Sequence, residues 1–281
     1  METQLSPTGR FDKLLVTSDA SEFSAGALRI AIGLASRCGA KLSAMTMVIT
    51  NPEYEAIAPD RVAKAEEEAR AHLESIRAQA AQEGVECDVV LRHGEDPWPV
   101  IVEEAERQQV DAIVMGRQGR RGIARFMVGD ATVKVIGHAH CSVLVAPRAA
   151  QMWQRRILTA TDGSRYSDAA AAAAGKLART CSLPVTVMSV FASSHSDVRR
   201  REAGEAVERI ATFLRTEGVT VDTAVVEGRP DAAIIDTASS QSADLIVVGS
   251  HGRTGLERLL IGSVSERVIG AASGPVLIAK A

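Results

Sequence analysis

Gly249, Gly252, Gly262 and Ser263 stand in the spacing Gly-x2-Gly-x9-Gly-Ser. The set follows the apolar run Leu245-Ile246-Val247-Val248 and precedes the apolar-periodic stretch Val264, Val268, Ile269. Strand, glycine-rich turn and helix start, in that order, suit an anionic phosphate chain. Glycine lets the main chain approach with no Cβ in the way, the first N–H groups of a helix point outward unpaired, and the helix dipole favours negative charge. Ser263 adds a hydroxyl donor in the first turn. The amides of Gly252, Ser263 and Val264 are the expected phosphate donors, with Gly249, His251, Gly262 and Ser265 completing the candidate loop.

A carboxylate stands where it could face that loop. The run Arg156-Ile157-Leu158-Thr159 ends in Ala160-Thr161-Asp162. In an open parallel sheet, ligands bind beyond the carboxyl ends of the strands, where strand order reverses. If the strands leading to Asp162 and Gly249 are neighbours, Ala160, Thr161 and Asp162 share a crevice with the glycine loop. Asp162 would accept hydrogen bonds from ribose hydroxyls or a base edge; the alternative is a turn or helix-cap role. His251 reads as a solvated loop residue rather than a base. Neither Gly-x4-Gly-Lys-[Ser/Thr] nor a Gly-x-Gly-x-x-Gly after the first strand of either half is present, which disfavours P-loop phosphotransfer and dinucleotide binding.

The motif occurs twice. Gly116, Gly119 and Gly129 follow Ala112-Ile113-Val114-Met115, and all three recur at one constant offset as Gly249, Gly252 and Gly262. Asp19, Cys38 and Met45 recur as Asp162, Cys181 and Met188 at a larger offset, so the second copy is shorter, with the deletion near residues 51–60. That segment, with Pro52 and Pro59, reads as a loop. The copies span residues 1–147 and 154–281, joined by a short linker at 147–154 without a Gly-Ser tract. In the second copy the expected elements are a helix at 165–180, a strand at 184–190, a helix at 196–217, a strand at 219–226, a helix at 230–240, a strand at 243–249, a helix at 263–270 and a strand at 275–279. Such alternation, with short strands apolar on both faces, gives an α/β fold with a parallel sheet covered by helices.

The copies differ where phosphate should sit: Asp130 replaces Ser263. A carboxylate about 4 Å from a phosphate costs on the order of 4 kcal/mol at an effective dielectric near 20. The first site is therefore expected to be empty or much weaker, with Asp130 capping its own helix or paired with Arg117, Arg120, Arg121 or Arg125.

Composition narrows the function. A net charge of −3 argues against a nucleic-acid surface. No apolar run approaches the roughly 18 residues of a membrane span, and the polar start, Met1 to Arg10, lacks a signal-peptide core. Cys38, Cys87, Cys141 and Cys181 show no Cys-x-x-Cys spacing, which fits a reducing cytoplasm. Cys38 and Cys181 are expected to fill core space, and His138 and His140 to form a surface pair rather than a metal site. The charge runs Glu66–Glu68 and Arg199–Arg201 are expected on solvated helix faces.

These residues resemble the universal stress protein family in its tandem form, across nearly the whole chain. Gly249-x2-Gly252-x9-Gly262-Ser263 matches the family's ATP-binding motif, and Gly249-Ser250-His251-Gly252-Arg253-Thr254-Gly255-Leu256 is especially close. The resemblance implies two five-stranded parallel sheets of order 3-2-1-4-5 with helices on both faces. It implies an ATP site, with Mg2+, using Asp162, the glycine loop and the strand end near Val190 for adenine. It further implies pairing of the halves through 142–146 and 275–279 as an intramolecular pseudo-dimer, and a possible homodimer of tandem chains. The leading expectation is a cytoplasmic, ATP-binding stress-response protein with a regulatory output and no catalytic residue. A slow ATPase or adenylyl-processing enzyme, and a nucleotide-free dimeric scaffold, are the alternatives.

Overall fold

The computed structural model describes residues 11–117, 128–192, 197–253 and 261–281. Its contacts divide into two compact units, one built on residues 11–117 and 129–152, the other on residues 153–281.

The N-terminal unit runs β1 (Lys13–Thr17), α1 (Ala25–Cys38), β2 (Lys41–Ile49), α2 (Pro52–Ile57), α3 (Pro59–Gln82), β3 (Cys87–Gly94), α4 (Pro97–Gln108), β4 (Ala112–Gly116), α5 (Asp130–His138) and β5 (Ser142–Ala146). Its strands pair in parallel in the order β3-β2-β1-β4-β5. The C-terminal unit runs β6 (Ile157–Ala160), α6 (Arg165–Cys181), β7 (Val185–Phe191), α7 (Asp197–Thr216), β8 (Val221–Glu227), α8 (Pro230–Ser240), β9 (Leu245–Gly249), α9 (Ser263–Ala271) and β10 (Val276–Ala279). The order is the same, β8-β7-β6-β9-β10, all parallel. In each unit the first and fourth strands are therefore neighbours and the strand order reverses between them, as the family resemblance implies.

Inner strands are buried at consecutive positions, all five in β9 and the first four in β4, so both faces of each sheet are covered. With few aromatics, close packing comes from small side chains. Ala169, Ala170, Ala171, Ala173 and Ala174 on α6 are all fully buried. Helix starts follow local chemistry: Pro52, Pro59, Pro97 and Pro230 each open a helix, where a missing N–H costs nothing.

Several expectations need correction. Residues 51–60 are not a loop. Asn51 Oδ1 accepts from the Tyr54 amide (2.7 Å) and Pro52 opens α2, while Pro59 opens α3; the prolines start helices here rather than break them. Cys38 and Cys181, the last residues of α1 and α6, are only half-buried, whereas Cys87 is in the core. His138 stacks on Trp98 (centroids 4.4 Å apart) and His140 Nε2 lies 3.0 Å from Glu106. No group of three metal-ligating side chains occurs among the described residues.

One buried charge was not foreseen. Glu104 on α4 is 1% exposed and accepts from Arg92 on β3 and from Arg107 and Gln108 on its own helix. Gln108 in turn accepts from Ser43 on β2 (2.7 Å). Burial alone would raise the Glu104 carboxyl, but the hydrogen bonds of Arg107, Gln108 and Arg92 outweigh it and hold it at about 2, down from 4.5. A group with a depressed folded pKa stabilises the fold above its unfolded value and loses that contribution as pH falls towards the folded one. Denaturant unfolding across a pH series should therefore show stability falling between about pH 4.5 and 2, with a shallower fall in Glu104→Gln.

Candidate functional site

A cavity of about 310 Å³ opens at the carboxyl ends of β6 and β9, where the strand order reverses. Every candidate residue from the sequence lines it: Ala160, Thr161, Asp162, Val190, Gly249, His251, Gly252, Gly262, Ser263, Val264 and Ser265. The sequence reading missed four further lining residues, Ser167, Pro230, Ile234 and Val248. Pro230 and Ile234 lie one helical turn apart on α8, a spacing that marks a shared face. Val248 is the last apolar residue before Gly249, so both were within reach of the sequence. Together with Val190 and Ala160, Pro230, Ile234 and Val248 supply the apolar part of the lining.

The loop is built by close approach. An added Cβ on Gly249 would lie 2.7 Å from the Tyr166 backbone at the start of α6, and one on Gly252 would lie 3.0 Å from Asp162 Oδ2. Gly262 is the cap residue before α9, and its own N–H is spent on the Ser250 carbonyl (2.8 Å), which closes the loop on itself. Ser265 donates its hydroxyl to the Gly249 carbonyl (2.8 Å), tying the first turn of α9 to the end of β9. Its hydroxyl proton is thus used internally. The amides of Gly252, Ser263 and Val264 have no acceptor among the described residues, and Ser263 is exposed. The three residues line one cavity at the N-terminal end of α9. Thr254, Gly255 and Leu256 lie outside the described residues.

Asp162 does not cap α6; that role belongs to Ser164, whose Oγ accepts from the Ser167 amide (3.3 Å). Instead Asp162 Oδ1 accepts from the Ser164 amide (3.0 Å) and Oδ2 from the Arg253 amide (2.7 Å). It therefore bridges the β6–α6 turn to the glycine loop, and each oxygen keeps a lone pair for a further donor. Thr161 hydrogen-bonds Ser167 Oγ (3.0 Å) and the Gly163 amide (3.1 Å), which fixes the turn from beneath. The Arg253 guanidinium pairs with Glu202 on α7 (3.1 Å) and holds its carboxyl below the usual range. His251 Nδ1 contacts Ser250 Oγ (3.1 Å), and its ring lies against Tyr166 (centroids 5.2 Å apart).

In the N-terminal unit Asp130 is the first residue of α5, but it does not cap that helix. The cap is Gly129, without a side-chain bond, and Asp130 Oδ2 pairs with Lys134 (2.8 Å) one turn on. An i,i+4 ion pair competes with capping geometry because the side chain turns along the helix rather than back over its end. Arg120, Arg121 and Arg125 lie outside the described residues. Asp19 binds its own turn through Oδ1, accepting from the Ser21 amide (3.0 Å) and Ser21 hydroxyl (2.6 Å), and caps no helix.

Comparison with known proteins identifies the family. The universal stress protein family model matches residues 10–147 and 154–280. The chain therefore belongs to the universal stress protein family, as two tandem domains. A universal stress protein of Methanocaldococcus jannaschii is 36% identical over 139 residues, covering 45% of this chain and 82% of that protein. One of Mycobacterium tuberculosis is 32% identical over 203 residues, covering 66% of each chain. Among solved structures, a universal stress protein from Archaeoglobus fulgidus superposes with a TM-score of 0.78 at 20% identity, covering 96% of this chain and 99% of that one, which shows the shared fold.

The tight contact at Gly249 is open to a stability test. Gly249→Ala has backbone, not a flexible side chain, in its way and is expected to lose about 1–3 kcal/mol in denaturant unfolding.

Proposed function

We propose that the C-terminal unit binds an adenine nucleotide, ATP with Mg2+, and that the protein is a cytoplasmic regulatory protein rather than an enzyme. The observation that carries this reading is that Gly252, Ser263 and Val264, whose amides have no acceptor among the described residues, line one cavity together with apolar side chains. A base would lie against Val190, Pro230 and Ile234. Asp162 would accept from ribose hydroxyls with its remaining lone pairs. The phosphates would take the three amides and the Ser263 hydroxyl. A magnesium ion would be held mainly by those phosphates and water, which fits a site without a protein carboxylate cage.

The regulatory reading rests on how the polar groups are occupied. Both Asp162 oxygens accept main-chain amides, which gives the carboxylate a positioning role between the β6–α6 turn and the glycine loop. His251, the other candidate base, is engaged with Ser250 and Tyr166. The same Asp162 and Arg253 contacts link the loop to α6 and, through Glu202, to α7. Occupancy of the loop can therefore be felt on the outer helices. The four free cysteines suit a reducing compartment, and among the described residues no helix is long and apolar enough to cross a membrane.

Titration calorimetry with Mg-ATP tests the assignment. The unaltered chain is expected to bind. Ser263→Asp, which removes a charge-assisted donor and adds a like charge, is expected to weaken binding by at least about 100-fold. Gly252→Val, which drives a side chain towards Asp162, should do the same. Unchanged affinity in both variants would refute the proposed cradle. Phosphate release above buffer from the bound complex would favour an enzyme instead.

A further inference from the structure

Residues 51–60, the stretch missing from the C-terminal copy, carry α2. This helix has six residues and no buried side chain. A helix so short is marginal by itself, and ordering it costs backbone entropy that burial of apolar surface must offset. Yet its large apolar side chains face water. Tyr54 is 41% exposed and Ile57 75%, three residues apart on one helix face. Ile49, the last residue of β2, adds a third at 66%. A cluster of exposed large apolar side chains marks a contact surface.

The rim of that surface is acidic. Glu53, Glu55 and Asp60 are exposed and enter no ion pair among the described residues, and Arg61 is the first cation after them. Among the described residues the other exposed large apolar side chains are Val198 and Val225, both in the C-terminal unit. Val198 stands in the first turn of α7 beside Arg199, Arg200 and Arg201, with Asp197 as the carboxylate of that turn. All of residues 197–201 are exposed. Arg199 pairs with Glu202 (3.1 Å), Arg200 lies over the Phe191 ring (5.5 Å), and Arg201 has no ion pair among the described residues. One surface therefore sets three carboxylates against one guanidinium around an apolar centre, and the other sets three guanidiniums against one carboxylate. Ile57 and Val198 are each exposed in the single chain, so the match is open to a second copy.

We propose that copies of this chain associate by seating the start of α7 from one copy on the Ile49–Tyr54–Ile57 surface of another, with Arg200 and Arg201 facing Glu53 and Glu55. Apolar burial supplies the attraction, and complementary charge sets the orientation and speeds the encounter. A contact between unlike surfaces closes into a pair where it is made reciprocally, each copy giving one surface and receiving the other. The surface is distinct from the strand pairing that the resemblance implies: α2 follows β2, and β1 and β4 separate that strand from β5. It also uses no residue that lines the glycine-loop cavity, so it does not depend on the nucleotide reading.

Sedimentation equilibrium of the full chain, from micromolar to millimolar concentration, tests the contact. The unaltered chain is expected to associate, and less so at high salt, where exposed charges are screened. One variant carries Glu53→Arg with Glu55→Arg, the other Arg200→Glu with Arg201→Glu. Each is expected to raise the dissociation constant by at least about tenfold. An equimolar mixture of the two should associate as the unaltered chain does, because every acidic surface again has a basic one to meet. Arg199 is left in place, since it shares Glu202 with Arg253 of the glycine loop. Ile57→Ser should weaken association about threefold or more without changing its salt dependence. The proposal is overturned if the unaltered chain stays single up to millimolar concentration, if both charge reversals leave association unchanged, or if the mixture fails to recover it.

Discussion

The first turn of an α-helix leaves amides that the helix itself cannot satisfy, and the C-terminal unit is arranged around that constraint. At the start of α9, Ser263 and Val264 carry N–H groups with no acceptor among the described residues. Burying them in protein would cost roughly 1–3 kcal/mol each. In the structure both residues instead line an open cavity. It holds them there with bonds that do not consume them: Ser265 to the Gly249 carbonyl, and the Gly262 amide to the Ser250 carbonyl. The helix end stays fixed while its donors remain available.

The rest of the unit serves that arrangement. Parallel pairing of β6 with β9 brings the Asp162 turn beside the glycine loop, and the Asp162–Arg253 bond ties the two together. Glycine at 249 is required because the Tyr166 backbone occupies the place of a side chain. Main-chain proximity, rather than any long polar side chain, sets the geometry of the described residues, which keeps the cost in side-chain entropy modest. The N-terminal unit keeps the scaffold, down to a matching close approach of Gly116 to the Phe23 carbonyl, but changes the charges at the helix start. Duplication preserved what packing demands and left the exposed polar positions free to diverge.

Much of this was legible in the residues. The glycine spacing located the loop, the repeat offset located its twin, and strand–helix alternation gave the sheet. Pro230, standing where a helix could begin, marked the start of α8. Other features were not legible. Pro52 and Pro59 read as loop because a proline pair interrupts most elements; only the structure shows that each one opens a helix, the first behind the Asn51 cap. Asp111 and Asp244 were also passed over. They accept the amides at the entry to β1 and β6, respectively, and nothing in local sequence distinguishes such an aspartate from a solvated one. The Glu104 network joins side chains of β2, β3 and α4, and no short-range pattern announces it.

What the sequence determined by itself was periodicity and composition: where strands and helices lie, that the fold occurs twice, and that one loop carries glycine and serine where the other carries aspartate. Those are local properties, fixed by backbone propensity and side-chain chemistry. Only the tertiary structure decided which polar groups are spent and which are left over. Both oxygens of Asp162 are taken by main-chain amides, one from Ser164 in its own turn and one from Arg253 in the glycine loop. The second bond depends on a distant segment donating a main-chain N–H. A hydrogen bond between residues far apart in the chain exists only once the fold has brought them together.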